Sequence, residues 1–152
     1  MTTAPRHPAS AWRALLEAHS ALIRLYERDM QADCGISLAW YDVLVHLYEA
    51  PEHHLRMAEL ADSLLLSPSW LTRRIEALEA ADLVRRCRAT DDRRGVCAQL
   101  TEAGVTAYRL AERSHRRSIR RHFLAHLGAE EAATIKVAMH RVAGAARSSF
   151  RA

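Results

Sequence analysis

Glycine and proline are scarce in this chain, which has five glycines and four prolines among 152 residues. Sandwiches and barrels need many tight turns that depend on these two residues, so their scarcity favours long helices. Cysteine is also rare. The three cysteines, Cys34, Cys87 and Cys97, are an odd number without the spacing of a disulfide framework, which predicts a reducing compartment.

Long apolar runs are missing as well. No window approaches the roughly eighteen apolar residues of a membrane-spanning helix, and residues 1–10 lack the apolar segment of a secretory signal. We therefore predict a cytoplasmic protein with no membrane partner. The sequence also lacks a glycine-rich phosphate loop, a Gly-x-Ser-x-Gly turn and an HExxH pair. These absences predict that the protein is not an enzyme, has no catalytic residues and takes no cofactor.

The charge of the chain permits an anionic partner without proving one. The chain has 22 basic and 18 acidic residues, a net charge of +4 and a pI near 9.3. Lys136 is the only lysine, so nearly all the positive charge is carried by arginine. The length suits one compact domain spanning residues 1–152, and no repeat or linker divides it.

Apolar residues recur at helical spacing along most of the chain. The pattern predicts long helices from Ser10 to about Asp33, between Ser37 and Pro51, from Thr101 to Leu127, and after Gly128. Ser10, Ser37 and Thr101 are the predicted N-caps. Helices this long cannot be covered on all sides by so small a domain. We therefore predict that 10–34 and 102–150 form a dimerisation region that packs against a second copy of the chain.

A shorter pair of helices lies between these segments. Apolar spacing of i, i+3, i+4 and i+7 predicts a short helix over 57–64. Ser67 followed by Pro68 is a strong start signal for the next helix. The inward positions of that helix are Leu71, Ile75 and Leu78. Its other faces carry small polar and basic side chains, and two helices arranged in this way are typical of a helix-turn-helix.

Two predicted strands follow the helix pair directly. They cover 83–87 and 96–100, and a highly charged turn over 88–95 separates them. A hairpin in this position is typical of a wing, whose arginines reach phosphates or a narrow minor groove while an aspartate orients one of them. The alternative is an ordinary solvated hairpin. The predicted fold class is thus mainly α with a small β wing, and the winged helix-turn-helix region spans 37–101.

Several segments resemble the MarR family of bacterial winged-helix transcription regulators. They are Ala58-Glu59-Leu60-Ala61, Leu66-Ser67-Pro68-Ser69, Leu71-Thr72-Arg73-Arg74-Ile75, Leu78-Glu79, Leu83-Val84-Arg85-Arg86, Asp92-Arg93-Arg94-Gly95-Val96 and Leu100-Thr101-Glu102-Ala103-Gly104. The last two are the most specific, and the flanking helices agree in number and order. The resemblance implies a homodimer that binds pseudo-palindromic double-stranded DNA. It also implies a repressor in most cases, often released by a small-molecule effector or by oxidation.

The resemblance assigns DNA-binding roles by position. Residues 67–74 would lie in the major groove, Arg94 would enter the minor groove with Asp92 positioning it, and Arg93 would contact a phosphate or the same groove. The predicted DNA-binding residues are Ser67, Ser69, Trp70, Thr72, Arg73, Arg74, Asp92, Arg93 and Arg94. Two residues depart from the family pattern. Trp70 is unusually large: it either stacks on a sugar, touches a thymine methyl or packs against the wing, and packing is the favoured alternative. Asp82 replaces a glycine in a turn that aspartate tolerates.

Other readings stay open beside this one. The helical spacing of His115, His122 and His126 would allow them to bind a zinc ion together. The favoured alternative is a solvated helix surface, and no metal site is predicted. Cys87 and Cys97 either pair across the wing as a redox sensor or pack beneath it as small strand residues. A ligand pocket would be lined by Trp12, His19, Trp40, Tyr41 and His46. The alternative function is a metal- or ligand-binding helical dimer that does not read DNA sequence.

Overall fold

A computed structural model describes residues 8–88 and 95–149. The helices are α1 (Pro8–Cys34), α2 (Leu38–Glu49), α3 (Met57–Leu64), α4 (Pro68–Ala80), α5 (Glu102–His122) and α6 (Ala129–Ser149). The strands are β1 (His54–Arg56), β2 (Val84–Arg88) and β3 (Val96–Leu100). This mainly helical chain with a small sheet confirms the predicted fold class. None of its described helices has the length and apolar character needed to cross a membrane.

Two of the three predicted N-caps stabilise the first turns of their helices. The Ser37 hydroxyl accepts a hydrogen bond from the Trp40 amide at 3.1 Å, and the Thr101 hydroxyl accepts one from the Gly104 amide at 2.9 Å. The N-cap predicted at Ser10 is wrong, because α1 already begins at Pro8. Proline fixes its own φ near the helical value and needs no amide partner in a first turn, so it can start the helix two residues earlier.

Helix α5 ends sooner than its apolar spacing predicts. It stops at His122 rather than Leu127, because Phe123 leaves helical geometry with φ −121° and ψ −64°. A short 3₁₀ turn over Leu124–His126 follows. No glycine or proline precedes Gly128 in this stretch, so the sequence carries no local stop signal.

The sheet has three antiparallel strands in the order β1–β3–β2, one strand more than the predicted hairpin. Strand β1 lies between the helix predicted to end at Pro51 and the helix predicted over 57–64, where the sequence pattern predicts no strand. Its three residues are too few to show an alternating pattern, and they become a strand by pairing with β3, where Leu55 lies opposite Ala98. The central strand of the wing is therefore held on both sides.

The helix-turn-helix packs on the sheet and on α2. Leu71, Ile75 and Leu78 are at most 1% exposed, which confirms the inward face predicted for α4. Asp82 adopts φ +58°, so the turn that glycine usually makes does survive with aspartate. Gly104 lies so close to this turn that an added Cβ would overlap the backbone carbonyl oxygen of Leu83.

Candidate nucleic-acid interface

The start of α4 is held by its own hydroxyl groups. The Ser67 Oγ accepts a hydrogen bond from the Trp70 amide at 3.4 Å and lies 3.1 Å from the Ser69 Oγ. The Thr72 hydroxyl donates to the Pro68 carbonyl oxygen at 2.8 Å. Ser67 and Thr72, both predicted to bind DNA, thus have a structural role that fixes the first turn of the helix.

The exposed side of α4 presents an aromatic ring beside a cation. Trp70 is 62% exposed, so the expectation that it packs against the wing is wrong. Together with Ser69 and Arg73 it lines a shallow recess of about 160 Å³. Ring, hydroxyl and guanidinium lie together because position 73 is one helical turn beyond positions 69 and 70.

Arg73 and Arg74 differ in their surroundings although they are adjacent. Arg73 is exposed, whereas Arg74 is half-buried. Both side chains line a second recess of about 240 Å³ between α4 and the start of α2, together with Ser37, Trp40 and Trp70, so the difference between them is one of exposure. Arg73 is therefore the better placed of the two to reach a base edge.

The wing is fastened directly to α4. The Arg86 amide donates to the Glu79 carboxylate at 3.0 Å. The Arg86 guanidinium lies 3.4 Å from Glu79 and 3.7 Å from Glu76. These contacts fix the base of the wing relative to the helix. The predicted wing-tip residues Asp92, Arg93 and Arg94 lie outside the described residues.

The two wing cysteines are paired. Cys87 lies directly opposite Cys97 in the β2–β3 register, their Cα atoms are 4.9 Å apart, and a disulfide joins them. Of the two alternatives, the structure therefore has the one in which the cysteines pair across the hairpin. The third cysteine, Cys34, is free and half-buried, and its thiol donates to the Met30 carbonyl oxygen at 3.2 Å.

Comparisons with known proteins agree with this arrangement. The model of the MarR family matches residues 35–95. AbsC, a MarR family transcriptional regulator from Streptomyces coelicolor, is 34% identical, with a TM-score of 0.87 over 97% of this chain and 99% of AbsC. This chain belongs to the MarR family. A comparison with curated proteins gives no match.

Two other solved MarR-like structures are similar over most of the chain. Sco3205, a MarR family regulator from Streptomyces coelicolor solved in complex with DNA, is 30% identical, with a TM-score of 0.84 and coverage of 94% of this chain and 90% of Sco3205. The PcaV regulator from the same organism was solved with its natural ligand. It is 26% identical, with a TM-score of 0.73 over 96% of this chain and 99% of PcaV.

In this MarR family chain, two carboxylates of α1 form hydrogen bonds with α5 in a region that is distant from the wing. The Asp29 carboxylate accepts hydrogen bonds from Ser118 at 2.7 Å and lies 2.8 Å from His122 Nε2. Hydrogen bonds from Arg28 and then Ser118 hold the pKa of Asp29 well below its usual range. The neighbouring Asp33 accepts from Ser114 and Arg117, which also lower its pKa. This network joins α1 to the middle of α5.

The histidines of α5 do not form the predicted row. His122 binds Asp29, His126 lies in the 3₁₀ turn beyond the end of the helix, and His115 faces aromatic rings. In the part of the chain that the structure describes, no three His, Cys, Asp or Glu side chains are grouped to hold a metal ion. The alignment of these histidines expected from helical spacing is absent because it required α5 to continue to Leu127.

The five predicted ligand residues have different surroundings. Trp12 is 61% exposed and His19 is exposed on the first half of α1. Tyr41 is buried and stacks on Tyr108, whereas His46 Nδ1 binds the Asp42 carbonyl oxygen at 2.8 Å. Trp40 lines the recess beside α4.

Tyr41 belongs to a longer series of aromatic rings that the sequence did not indicate. Neighbouring rings along the series have centroids 4.1–6.1 Å apart. Its members, in spatial order, are Tyr26, His115, Tyr41, Tyr108, Tyr48 and His53. The rings come from α1, α2, α5 and the 3₁₀ turn before β1, so no single helix pattern contains them.

His115 should make the stability of the fold depend on pH. Burial beside Tyr26 and Tyr41 lowers its pKa from the ordinary 6.5, although the Asp42 carboxylate opposes this in part. The unfolded chain then binds this proton at a higher pH than the folded chain, so the stabilisation is lost as pH falls below about 6.5. When the pH is lowered from 7 to 5, the free energy of unfolding should therefore decrease less for the His115→Phe variant than for wild type. Urea denaturation at each pH measures this.

The matched control for this experiment is His126→Phe, which changes an exposed histidine of the 3₁₀ turn. That variant should keep the wild-type pH dependence. Equal pH dependence in the His115→Phe variant and in wild type would contradict the prediction.

Proposed function

We propose that this MarR family chain is a cytoplasmic homodimeric repressor that binds a pseudo-palindromic operator in double-stranded DNA, and that it is not an enzyme. The observation that carries the proposal is the exposed face of α4, where Trp70 and Arg73 lie side by side on a helix fastened to a wing. The DNA complex of the similar regulator Sco3205 supports it.

In this proposal α4 lies in the major groove and the wing in the adjacent minor groove. Arg73 reads a base edge, Ser69 and Trp70 contact the sugar or a thymine methyl, and Arg74 contacts the backbone from the side of α2. Ser67 and Thr72 act by holding the first turn. At the wing tip, Arg94 enters the minor groove, Asp92 orients it, and Arg93 binds a phosphate.

Exposed apolar side chains support the homodimer. Many of them lie on α1 and on α6, including Trp12 at 61%, Ile23 at 42%, Met139 at 37% and Val142 at 59% exposed. Several large apolar side chains exposed on two long helices are unfavourable in water and are typical of a subunit interface. A twofold dimer would bury them and place two copies of α4 on one side of the molecule.

Substitution on one face of α6 should dissociate the dimer. Ile135, Met139 and Val142 share a face because they are spaced at i, i+4 and i+7. A buried carboxylate there is strongly unfavourable, so Met139→Asp with Val142→Asp should raise the dimer dissociation constant at least about tenfold. Sedimentation equilibrium measures this.

The same helix provides the control. Val137 is 58% exposed, almost as much as Val142 at 59%, but it lies on the opposite face of α6. Val137→Asp makes the same chemical change and should leave the dimer intact. If Val137→Asp alone dissociated the dimer, the interface would lie on the face of α6 that carries Val137, and the proposed face would be wrong.

The proposal also includes a small-molecule effector that releases the DNA. The ligand complex of the similar regulator PcaV supports it. We place the binding region where α1 and α2 meet α5, near Tyr41, His46 and the aromatic series, with Trp12, His19 and Trp40 as outer residues. Apolar rings with a few polar groups are the usual lining of such pockets.

Selection from a random duplex pool, followed by binding measurements across a salt series, tests the DNA-binding function. We expect an enriched pseudo-palindrome with half-sites about 10 base pairs apart and a log–log salt slope of several units. Weak binding without an enriched sequence would reject the repressor and favour a helical dimer that binds a ligand instead of reading DNA.

A further inference from the structure

We propose that Cys87 and Cys97 are a reversible redox site in the wing, and that their disulfide strengthens DNA binding. The effect on DNA rests on the proposed function above, whereas the redox chemistry of the pair does not. No other part of the proposed repressor mechanism requires these two cysteines.

The first argument is that the sheet holds the two side chains together in either redox state. They are directly opposite in the register, and their Cα separation of 4.9 Å falls within the usual disulfide range of about 4.4–6.8 Å. The flanking pairs Arg86–Ala98 and Arg88–Val96 continue the same ladder. The backbone therefore does not have to rearrange for the bond to form or break.

The second argument is that the pair lies on the face of the sheet opposite the main hydrophobic core. Side chains alternate along a strand, so Cys87 and Cys97 share a face with the pair Arg85–Gln99. The other face carries Val84, which is 2% exposed and belongs to the core cluster. Cys97 is also buried, at 2% exposed, but neither cysteine belongs to that cluster, so breaking the disulfide should leave the packing of the cluster in place.

The third argument is the position of the bond along the wing. The base of the hairpin is already fixed, because Arg86 binds Glu79 and Arg85 donates to Gln99 at 2.8 Å. The disulfide lies beyond these contacts and closes a covalent ring over residues 87–97. By sequence, that ring contains Asp92, Arg93 and Arg94, the proposed DNA contacts of the wing. The redox state therefore acts on the distal wing and not on the helix pair.

The chemistry requires an oxidant, which we assign to the class of low-molecular-weight disulfides. Cys87 is partly exposed and Cys97 is 2% exposed, so the Cys87 thiolate attacks first, forming a mixed disulfide and releasing one thiolate. The Cys97 thiolate then attacks the Cys87 sulfur and releases the second. Two protein thiols and one small disulfide become one protein disulfide and two small thiols, and an excess of small thiol reverses the exchange.

The direction of the effect follows from conformational entropy. A chain segment that is not closed by a covalent bond loses more conformational freedom when it is fixed in a complex than a closed one does, which weakens binding. A covalent ring has already lost part of that freedom. The oxidised protein should therefore bind the operator at least about threefold more tightly than the reduced protein.

Two measurements on the full chain test the inference. Mass spectrometry after thiol alkylation, across mixtures of oxidised and reduced glutathione, should show Cys87 and Cys97 converting together and reversibly. Fluorescence anisotropy on the selected operator should show tighter binding in the oxidised state. The variant Cys87→Ser with Cys97→Ser should bind equally in both conditions, and the control Cys34→Ser should keep the wild-type difference.

The outcomes separate this inference from the proposed function. A pair that does not titrate reversibly, equal operator affinities in the two states, or tighter binding by the reduced protein would each overturn the inference and leave the repressor standing. Absence of sequence-specific binding in both states would overturn the proposed function and the effect on DNA with it. If the Cys34→Ser control lost the difference between the oxidised and reduced states, the response would belong to Cys34 and the inference about the wing cysteines would be overturned.

Discussion

Replacing Arg73 with alanine is expected to weaken operator binding by about five- to 150-fold, equivalent to about 1–3 kcal/mol. Arg73 is exposed on α4 beside Trp70 and Ser69, and its guanidinium can donate two hydrogen bonds to one guanine edge. The loss should be largest on the selected operator and small on unrelated duplex, because a base contact carries sequence information. Competition anisotropy with both duplexes measures it.

The control for Arg73 is Arg113→Ala, which removes the same charge from an exposed position of α5. It should change operator affinity little, apart from a small reduction that salt suppresses. Arg74→Ala should lie between the two and lower affinity for both duplexes, because half-buried Arg74 is assigned to the backbone. If Arg73→Ala and Arg113→Ala had equal effects, α4 would not be reading sequence.

Replacing Gly104 with alanine is expected to cost about 3 kcal/mol or more of unfolding free energy. The added Cβ would overlap the Leu83 carbonyl oxygen and would lie 3.2 Å from a methyl group of Leu100. Backbone cannot move aside as a flexible side chain can. The Leu83 carbonyl also accepts a hydrogen bond from the Thr101 amide at 3.1 Å, so its displacement disturbs the start of α5. Urea denaturation measures the loss.

Gly144→Ala is the matched control in α6. Among the residues that the structure describes, no atom lies within 4 Å of a Cβ added there, so the substitution makes no clash with them. Alanine also favours a helix interior over glycine by up to about 1 kcal/mol. The control should leave stability unchanged or raise it. Similar destabilisation by both substitutions would show that close packing against Leu83 is not the cause.

Much of the fold could be predicted because its signals are local. Ser67 and Pro68 start α4, and the three inward residues of that helix are buried where their spacing places them. β3 occupies the predicted residues, because a short, mostly apolar run after a highly charged turn is recognised within a few positions. The residues assigned to DNA contact remain a prediction, but the exposed side chains Ser69, Trp70 and Arg73 could be named from the faces of α4 alone.

Other features escaped prediction because they depend on segments distant in sequence. Strand β1 exists only through its pairing with β3, and the aromatic series draws rings from four elements. Trp70 was expected to find cover in the wing. It is instead 62% exposed, and the wing is joined to α4 at Glu79, near the other end of the helix.

The sequence by itself determined the helix-turn-helix, the hairpin that follows it, and the family to which the chain belongs, since these follow from caps, periodicity and short motifs. The tertiary structure alone decided where α5 ends, which of the adjacent arginines is exposed, and that Cys87 and Cys97 face each other. The physical reason is that register and exposure arise from packing between elements, and a difference of one residue in register turns a side chain to the other face.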